Sequence, residues 1–450
     1  MSNVVIPSIF PATCHTNHVG PGSIFVAIKG CKQNGADYIP QALQHGAKTI
    51  VIQKNATITQ KLQNLITRHN AKIIRVNNPR KKLALLSAKH SDHAHKKLKI
   101  IGITGTKGKT STAFILEHIL KSANYKTALI STVHNRILNQ TFKSSLTTDQ
   151  PDYLHAFFKT CVQKNVEFVV MEVAAQALSL HRVEGIAFDY VLFTNFAQEH
   201  GEFYANLQDY FAAKITLFEQ LKPSGKSFAN ADDPSFKKIL EKNPNVISFS
   251  IDKQRTFDCP TLFGKFNQYN IAAAVSVAQN IGLTKKTYID SLKTFKGVPG
   301  RLELHQLANG AHVCIDYAHN PSSFEAVLST LRPITHNLTV IFGAGGERDH
   351  KKRPAMGKIA AQIADKIIAT SDNPRSEDPL RIIEDIAAGI AKQNLGKLKK
   401  EVDRKKAIQM ACKNAQKNEI IAILGKGPDQ YQIIGDKTMR FSEKEIISDF

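Results

Sequence analysis

Short apolar runs alternate with segments of helical periodicity through most of the chain. The first block has strand-like runs at 24–28 and 49–52, with a helical stretch at 38–44 between them. Further apolar runs of strand length occur at 98–101, 168–171, 189–193, 313–315, 339–342, 367–370 and 420–424. Strands that alternate with helices along a chain are typical of parallel α/β sheets. The pattern therefore predicts an α/β fold.

The chain is long enough for more than one hydrophobic core, because 450 residues exceed what a single core usually organises. A polar segment at 90–97 and a turn signal at Val298-Pro299-Gly300 divide it into three blocks. We predict domains at 1–97, 98–298 and 299–450, the last a second doubly wound domain. His90, His93 and His95 could ligate a metal, but no partner cluster accompanies them, so we interpret their segment as a charged linker.

A glycine-rich turn lies directly between an apolar run and a helical one, at 100–111. Successive backbone N–H groups can converge there on phosphate oxygens, Lys109 can neutralise charge, and Thr110 can ligate Mg²⁺. Ile103 occupies the position where the common phosphate-loop pattern has its first glycine. Ile115, Leu116, Ile119 and Leu120 then recur at the spacing of one helix face. We predict an ATP site, the alternative being a glycine turn without a ligand.

Composition narrows the class of protein. Six cysteines are scattered without a CxxC pair, and no run of about eighteen apolar residues occurs, which predicts a soluble cytoplasmic protein. The net charge of +22, from 60 basic and 38 acidic residues, is spread in short clusters without a nucleic-acid-binding motif. We therefore expect neither a nucleic-acid partner nor membrane insertion. We interpret the charge as a solvated basic surface, whose field would also attract nucleotides.

Several polar groups follow apolar runs, where α/β ligand sites lie: Thr147-Thr148, Glu172, Asn195 and Glu199-His200. Together with other motifs they resemble the Mur ligases over nearly the whole chain. The motifs are PGSIFVAIKG in the first block, TGTKGKTST, HRVEGIAFDYVLFTNFAQEHGEFY, YFAAKITLF and GKFNQYNIAAA in the second, and GRLE, DYAHNP, GGERD, KRP, DNPR and GKG in the third. The resemblance implies three domains, with a central P-loop ATPase-type parallel sheet and a C-terminal Rossmann-like domain.

The resemblance also implies an activity. A substrate carboxylate would attack the γ-phosphate of ATP, and the amine of an amino acid would then displace phosphate from the acyl phosphate. DNPR is typical of the members that add meso-2,6-diaminopimelate to UDP-N-acetylmuramoyl-L-alanyl-D-glutamate in peptidoglycan synthesis. We therefore expect ATP, Mg²⁺ and these two small molecules as ligands of a monomer. A related ligase that uses L-lysine or a folate-type acceptor, and a degenerate nucleotide-binding homologue without activity, remain as alternatives.

The resemblance assigns residues to the nucleotide and the metal. The implied ATP-binding residues are Gly105, Thr106, Lys107, Gly108, Lys109, Thr110, Ser111, Asn267, Asn270, Arg301 and Asp316. The implied Mg²⁺ ligands are Thr110, Glu172, His200 and a carbamylated Lys214, and Lys109, Glu172, His200 and Lys214 are the implied catalytic residues. From the residues alone, Lys214 is equally a lysine that snorkels to solvent. Asp316 and its neighbours are alternatively only a strand-to-turn corner.

The same resemblance assigns the two other substrates. Thr16, Thr147, Thr148 and Arg182 would contact the muramoyl peptide. Arg348, Asp372, Asn373, Arg375, Gly425 and Asp429 would contact diaminopimelate. The planar fork of Arg375 can hold a carboxylate that lysine lacks. The alternative for Arg375 is a structural ion pair with Glu377 or Asp378.

Three segments depart from the family pattern. Ala174-Ala175-Gln176 stands where Ser-Ser-His is usual, and His15-Thr16-Asn17 stands where Asp-Ser-Arg is usual. Pro428-Asp429 replaces His-Glu, so a shorter carboxylate would have to reach the incoming amino group. These departures concern the substrates rather than the nucleotide.

Overall fold

The protein is described here by a computed structural model that covers residues 3–30, 33–197, 203–251 and 257–450. The chain forms two compact units. The first contains Met1–Phe257 and Tyr269–Leu292, and the second contains Asp258–Gln268 and Lys293–Phe450. Three large sheets, two of them in the first unit, build an α/β fold, as the apolar pattern predicted.

The N-terminal sheet is parallel and has its four strands in chain order. These strands are β1 (Ala12–Thr13), β2 (Ile24–Val26), β3 (Thr49–Gln53) and β4 (Lys72–Val76). Its helices are α1 (Ile39–Gln44), α2 (Gln60–Arg68) and α3 (Pro79–His90). Asn78 caps α3 through the backbone N–H of Lys81, and Pro79 starts the helix where no N–H is needed.

The central sheet has eight strands in the order β12-β11-β10-β5-β9-β6-β7-β8. The strands are β5 (Lys99–Thr104), β6 (Thr127–Ile130), β7 (Asn135–Ile137), β8 (Gln140–Phe142), β9 (Phe168–Glu172), β10 (Phe188–Phe193), β11 (Leu221–Asn230) and β12 (Ile247–Phe249). Six of them are parallel, and β7 and β8 form an antiparallel extension. β6 and β9 are buried throughout, as expected for parallel strands covered on both faces.

Seven helices of the described chain accompany the central sheet. They are α4 (Lys109–Ser122), α5 (Pro151–Gln163), α6 (Ala175–Ser179), α7 (Leu207–Ile215), α8 (Phe236–Lys242), α9 (Lys265–Ile281) and α10 (Lys285–Thr294). Ten residues of α4 are buried, so this helix packs with most of its surface covered. The helix that carries the end of the phosphate loop is therefore held firmly against the sheet.

The C-terminal sheet has the order β13-β14-β18-β15-β16-β17, with β13 antiparallel and the rest parallel. Its strands are β13 (Glu303–Gln306), β14 (His312–Asp316), β15 (Leu338–Phe342), β16 (Lys366–Ala369), β17 (Leu398–Lys400) and β18 (Ile420–Leu424). A hairpin follows, formed by β19 (Tyr431–Ile434) and β20 (Lys437–Arg440). The helices are α11 (Pro321–Leu331), α12 (Lys352–Ile363), α13 (Pro379–Ala387), α14 (Arg404–Asn414) and α15 (Glu443–Ile447).

Alternate residues of the C-terminal strands pack into two separate cores. Val340 and Phe342 join the core formed with α11, α12 and α13. Ile341 points to the other face and joins the core with α14 and α15. Helices on both faces of a mostly parallel sheet confirm the expected doubly wound, Rossmann-like architecture.

The prediction of a charged linker at 90–97 is wrong. Helix α3 continues to His90, and Ala94–Lys97 forms a 3-10 helix that packs against α5. The side chain of His95 is buried there, and its ring centroid lies 5.1 Å from that of His155. The two imidazole rings contact each other edge to face, so the segment packs against α5 although its sequence is polar.

Within the residues described, the helices are all too short or too polar to cross a lipid bilayer.

Candidate functional site

The phosphate loop joins β5 to α4, as the sequence predicted. Gly105 and Gly108 have φ angles of +137° and +81°, a region that side chains rarely adopt. A Cβ at Gly105 would lie 2.0 Å from Oγ1 of Thr194, and one at Gly108 would lie 2.2 Å from Oδ1 of Asn270. Both positions therefore require glycine, and the loop leads directly into the N-terminus of α4, where a helix favours an anion.

Two lysines meet at one carbonyl oxygen of this loop. Nζ of Lys109 donates to the carbonyl groups of Gly105 and Thr106, each at 2.9 Å. Nζ of Lys214, from α7, donates to the same Gly105 carbonyl at 2.7 Å and lies 4.3 Å from the centre of the Tyr210 ring. Lys214 is only 1% exposed, so its ammonium does not snorkel to solvent.

Glu172 lies beside the start of α4. Its Oε2 accepts a hydrogen bond from Oγ1 of Thr110 at 3.0 Å, and its Oε1 accepts one from the backbone N–H of Thr132 at 2.8 Å. The carboxylate is buried, and oxygen ligands of this kind suit Mg²⁺. Thr110 and Glu172 therefore come together as expected, whereas His200 lies outside the described residues.

A second group of polar residues begins at Thr147. Its hydroxyl lies 3.1 Å from that of Thr132. The Thr148 hydroxyl donates to the carbonyl of Glu172 at 2.9 Å and accepts from the N–H of Ala174 at 3.0 Å, and Nη1 of Arg182 donates to the Thr148 carbonyl at 2.9 Å. Three predicted substrate residues thus lie next to the Glu172 strand end.

Thr16 belongs to the N-terminal sheet region and is buried in a short 3-10 helix. Its carbonyl contacts Nδ1 of His45 at 2.8 Å. No hydrogen bond between the described residues joins Thr16 to Thr148 or Arg182. The N-terminal sheet instead meets the central one nearby, where the Thr13 hydroxyl donates to Oδ2 of Asp152 at 2.6 Å.

The predicted adenine and ribose residues are divided between the two units. Asn270 lies in the first unit, within 3.5 Å of the Thr112 hydroxyl. Asn267 lies in the second and donates to the Phe263 carbonyl at 3.0 Å. Arg301 is also in the second unit, with its guanidinium 4.8 Å from the centre of the Tyr317 ring.

Asp316 ends β14 and supports the neighbouring backbone. Its Oδ2 accepts from the N–H of Leu302 and its Oδ1 from that of Ala318, both at 2.8 Å. Burial raises the pKa of Asp316, and the nearby charge of Arg301 opposes that shift. Asp316 therefore has the structural role that the corner interpretation expected, and the structure also places it beside Arg301.

The loop after β16 carries the predicted amino-acid residues. Arg375 has a φ of +53°, and its Nη1 donates to the carbonyl of Gly346 at 2.6 Å. No ion pair of Arg375 occurs among the residues that the structure covers. Glu377 pairs instead with the buried Arg353 at 2.8 Å, and the carboxylate of Asp378 caps α13. The structural ion pair considered as an alternative for Arg375 is thus absent from this described region.

Other residues of the predicted amino-acid site lie around this loop. Asp372 approaches the backbone of Gly425 so closely that a Cβ there would lie 2.7 Å from its Oδ2. The side chains of Arg348 and Arg375 both lie next to Gly345. A Cβ added at this glycine would be 3.5 Å from Cγ of Arg348 and 3.2 Å from Nη1 of Arg375. Burial raises the pKa of Asp429, the charge of Lys426 opposes that shift, and the charge of Asp372 adds to it. The structure therefore gathers Arg348, Asp372, Asn373, Arg375, Gly425 and Asp429 at the carboxyl ends of β15, β16 and β18.

Sequence reasoning missed several residues that hold these loops. Thr132 binds Glu172, and Thr194 donates to the carbonyl of Lys107 at 2.7 Å. Asn195, noted in a motif but given no role, accepts from the N–H of Lys107 at 2.9 Å and donates to its carbonyl at 3.0 Å. In the second unit, Lys426 is buried and binds Asn373. Thr194, Asn195 and Lys426 lie in motifs that could have revealed them, whereas Thr132 does not.

Three models of one protein family match successive parts of the chain. They are described as Mur ligase family, catalytic domain, at residues 13–91, Mur ligase middle domain at 103–260, and Mur ligase, glutamate ligase domain, at 300–427. Together they cover most of the chain, and each match contains most of one large sheet.

Proteins that are similar in sequence over nearly their whole length have the name of one ligase. A UDP-N-acetylmuramoyl-L-alanyl-D-glutamate–2,6-diaminopimelate ligase from Clostridium botulinum is 36% identical, over 96% of this chain and 92% of its own length. The ligase of the same name from Bacillus licheniformis is also 36% identical, over 98% and 94%.

Solved structures show the same fold. A 2,6-diaminopimelate ligase of this name has a TM-score of 0.64 at 24% identity, covering 98% of this chain and 94% of the other. MurF ligase from Thermotoga maritima in complex with ADP has a TM-score of 0.64 at 19% identity, covering 94% and 95%. With the phosphate loop, the strand-end carboxylate and family matches across the whole chain, the protein belongs to the Mur ligase family of ATP-dependent amide ligases.

Proposed function

We propose that the protein joins meso-2,6-diaminopimelate to UDP-N-acetylmuramoyl-L-alanyl-D-glutamate at the expense of ATP, a cytoplasmic step of peptidoglycan synthesis. The observation that carries this proposal is the cluster of Lys109, Thr110, Glu172 and Lys214 around one phosphate loop. The names of the relatives, which match over nearly their full length, support the choice of substrates.

ATP would bind with its phosphates on the backbone of the loop and the N-terminus of α4. The loop residues are Gly105, Thr106, Lys107, Gly108 and Ser111, with Lys109 reaching the β- and γ-phosphates. Lys109 now donates to two loop carbonyls, and a phosphate oxygen would be a stronger, charged acceptor. Asn267, Asn270, Arg301 and Asp316 would contact adenine and ribose.

The residues beside the loop fit a magnesium ion. Thr110 and Glu172 offer a hydroxyl and a buried carboxylate 3.0 Å apart, which are ligand types that Mg²⁺ prefers. We propose that Thr110, Glu172, His200 and carbamylated Lys214 hold it. When bound, Mg²⁺ supplies positive charge that stabilises the transferring phosphoryl group.

The surroundings of Lys214 favour its carbamylation. Its ammonium is buried and shares the Gly105 carbonyl with Lys109, so two positive charges lie close together at low dielectric. A carbamate at Lys214 would replace one of these cations with an anion. That change removes the repulsion from Lys109 and supplies a carboxylate oxygen to the metal.

The peptide substrate would place its carboxylate next to the γ-phosphate. The carboxylate oxygen attacks phosphorus and ADP leaves, giving an acyl phosphate. The amine of the amino acid then attacks the acyl carbon and phosphate leaves, so that the products are the amide, ADP and phosphate. Thr147, Thr148 and Arg182 lie at the Glu172 strand end, where they could hold the peptide, and Thr16 would serve the nucleotide part of that substrate.

The amino acid would bind at the loop after β16. Arg375 and Arg348 offer guanidinium groups to carboxylates, and Asp372 and Asp429 offer carboxylates to ammonium groups. Asn373 and the backbone of Gly425 complete the set. L-lysine lacks the second carboxylate, so it would leave one guanidinium without a partner.

We also propose the domain boundaries 1–97, 98–298 and 299–450 and a monomeric enzyme. The family matches fall within these boundaries, and a single chain supplies the motifs for all three substrates. The proposal includes neither a nucleic-acid partner nor membrane insertion.

Phosphate release tests the proposed function. The purified protein is given ATP, Mg²⁺ and the UDP-linked dipeptide, together with a panel of amino acids that includes meso-diaminopimelate and L-lysine. We expect kcat/KM for diaminopimelate to exceed that for lysine by about ten- to a hundredfold, since one charged hydrogen bond contributes roughly 1.5–3 kcal/mol. Preference for lysine or for another acceptor peptide would indicate a related ligase. No turnover would indicate a nucleotide-binding homologue.

A further inference from the structure

A buried lysine holds the side chain of Asn373 in the second unit. Lys426 follows β18 and is only 1% exposed, and its Nζ donates to Oδ1 of Asn373 at 3.0 Å. The backbone N–H of Ile433, on β19, donates to the same oxygen at 2.9 Å. The Asn373 side chain is therefore fixed from two sides at once.

These two contacts decide which end of the amide is available to a ligand. An ammonium group and a backbone N–H are donors without acceptor capacity. Only the oxygen of the Asn373 amide can accept from both, so its Nδ2 points away from Lys426 and Ile433. A flipped amide would place Nδ2 of Asn373 against two other donors, Nζ of Lys426 and the N–H of Ile433. These groups are buried, so leaving their hydrogen bonds unsatisfied is costly.

The burial of Lys426 is itself unusual, because a lysine normally keeps its ammonium in water. Here the charge lies 5.5 Å from the centre of the Tyr431 ring and 5.9 Å from that of Phe441. Burial lowers the pKa of Lys426 and the charge of Arg404 adds to that shift, while the carboxylates of Asp372, Glu443 and Asp429 oppose it. The loop and the hairpin thus provide a site for one buried cation whose hydrogen bond goes to Asn373.

We propose that Lys426 is a positioning residue that sets the amino-acid specificity of the enzyme. By holding Oδ1 of Asn373, it makes this side chain present Nδ2 as a donor in the same loop as Arg375. Two donors in one loop favour a carboxylate on the substrate. This inference rests on the proposed function, which places the amino acid at this loop.

A double-mutant cycle tests the proposal. KM for meso-diaminopimelate, for ATP and for the UDP-linked dipeptide is measured in the wild type, Lys426→Met, Asn373→Ala and the double variant. We expect Lys426→Met to raise KM for diaminopimelate by about tenfold, the effect of losing one charge-assisted hydrogen bond, and to leave KM for ATP unchanged. Since Lys426 acts through Asn373, adding Lys426→Met to Asn373→Ala should change KM by less than about twofold. The proposal would be overturned if Lys426→Met left KM for diaminopimelate unchanged. It would also be overturned if the increase in KM in the double variant equalled the product of the increases in the two single variants.

Lys437→Met is the matched control, because Lys437 lies exposed on β20 of the same hairpin. It should keep the wild-type KM values. If Lys426→Met fails to fold, as a thermal unfolding curve would show, Asn373→Asp provides the second test. That variant keeps an acceptor for Lys426 but replaces the Nδ2 donor with an oxygen, so it should fold and bind diaminopimelate at least about tenfold more weakly. Wild-type affinity in Asn373→Asp would contradict the inference.

The wild-type panel keeps this test separate from that of the proposed function. If the wild type prefers another amino acid, the diaminopimelate assignment fails, and the cycle is measured with the amino acid that it accepts. The ratio of KM for that amino acid in each variant to KM in the wild type then tests the role of Lys426. Additive effects in that cycle would overturn the positioning role even where diaminopimelate is the substrate.

Discussion

At the scale of single residues, the meeting of Lys109 and Lys214 at one carbonyl is the feature with the clearest chemical consequence. Both ammonium groups donate to the Gly105 carbonyl oxygen, and the side chain of Lys214 is buried. A carbamate on Lys214 would relieve this arrangement and help to hold a metal. Lys109 would then be free to exchange its loop carbonyls for the phosphates of ATP.

Lys214→Ala should abolish most of the activity. We expect kcat to fall by at least about a hundredfold, because a preorganised charged group next to the reacting phosphoryl is lost. Formate or acetate should restore part of the rate, since either can supply the missing carboxylate. Phosphate release with and without the added carboxylate measures both effects.

Lys237→Ala provides the control for that experiment, since Lys237 is exposed on α8. Its rate should be that of the wild type and should not respond to the carboxylates. A Lys214→Ala enzyme that keeps its rate, or that short carboxylates never rescue, would exclude the carbamate role.

At the residue scale, the sequence predicted a glycine-rich turn between a strand and a helix, and the structure has that turn between β5 and α4, with Gly105 and Gly108 at positive φ. The roles of Lys109 and Thr110 at this turn stay predictions. The sequence could not show that Lys214 would reach the Gly105 carbonyl, because 109 positions separate the two residues. Thr132 was missed for the same reason, since its contact with Glu172 depends on the pairing of β6 with β9.

At the scale of elements, the packing of the 3-10 helix Ala94–Lys97 against α5 introduces a pH dependence. Burial lowers the pKa of His95 to about 4 and that of His155 to about 3. The nearby His93 acts on both rings and Lys96 and Lys222 on His95, and all of these charges oppose protonation. The neutral rings are thus favoured in the folded protein, while an unfolded histidine titrates near 6.5.

The free energy of unfolding should therefore fall as the pH is lowered. Because both folded pKa values lie below the unfolded one, this stability is complete above about pH 6.5 and is lost as the pH falls toward the folded values. Near pH 5 the loss is roughly 2 kcal/mol for each histidine. Urea unfolding of the wild type and of His155→Phe across this range measures it, and the variant should show a shallower slope.

His336→Gln serves as the control, since His336 is exposed. It should keep the wild-type slope. Equal slopes for the wild type and His155→Phe would show that the buried ring does not control the acid sensitivity.

The pattern of apolar runs predicted the strands better than it predicted this contact. Continuous apolar runs marked the positions of four strands, β9, β10, β15 and β18. Parallel strands that are buried on both faces consist almost entirely of apolar residues. The segment at 90–97 was misread because it is polar. Its burial comes from a partner helix about sixty positions later, which local sequence does not reveal.

At the scale of the whole molecule, the three sheets and the family could be predicted from the sequence, because the motifs are spread over the entire chain. Substrate identity depends on finer features. Lys426 and the backbone N–H of Ile433 select one orientation of the Asn373 amide, and the motifs that contain Lys426 and Asn373 do not by themselves reveal this contact. The departures at 174–176 and 15–17 lie in the first unit, and nothing in the structure explains why these particular residues stand there.

In the proposed reaction, the terminal phosphoryl group of ATP passes to a substrate carboxylate before the amide forms. The most direct test uses the UDP-linked dipeptide with its reacting carboxylate enriched in heavy oxygen, together with ATP, Mg²⁺ and diaminopimelate. Mass spectrometry of the released phosphate then follows the label. We expect one heavy oxygen atom in the phosphate for each amide bond formed, since the bridging oxygen of the acyl phosphate leaves with phosphorus. Amide formation that releases only unlabelled phosphate would contradict it.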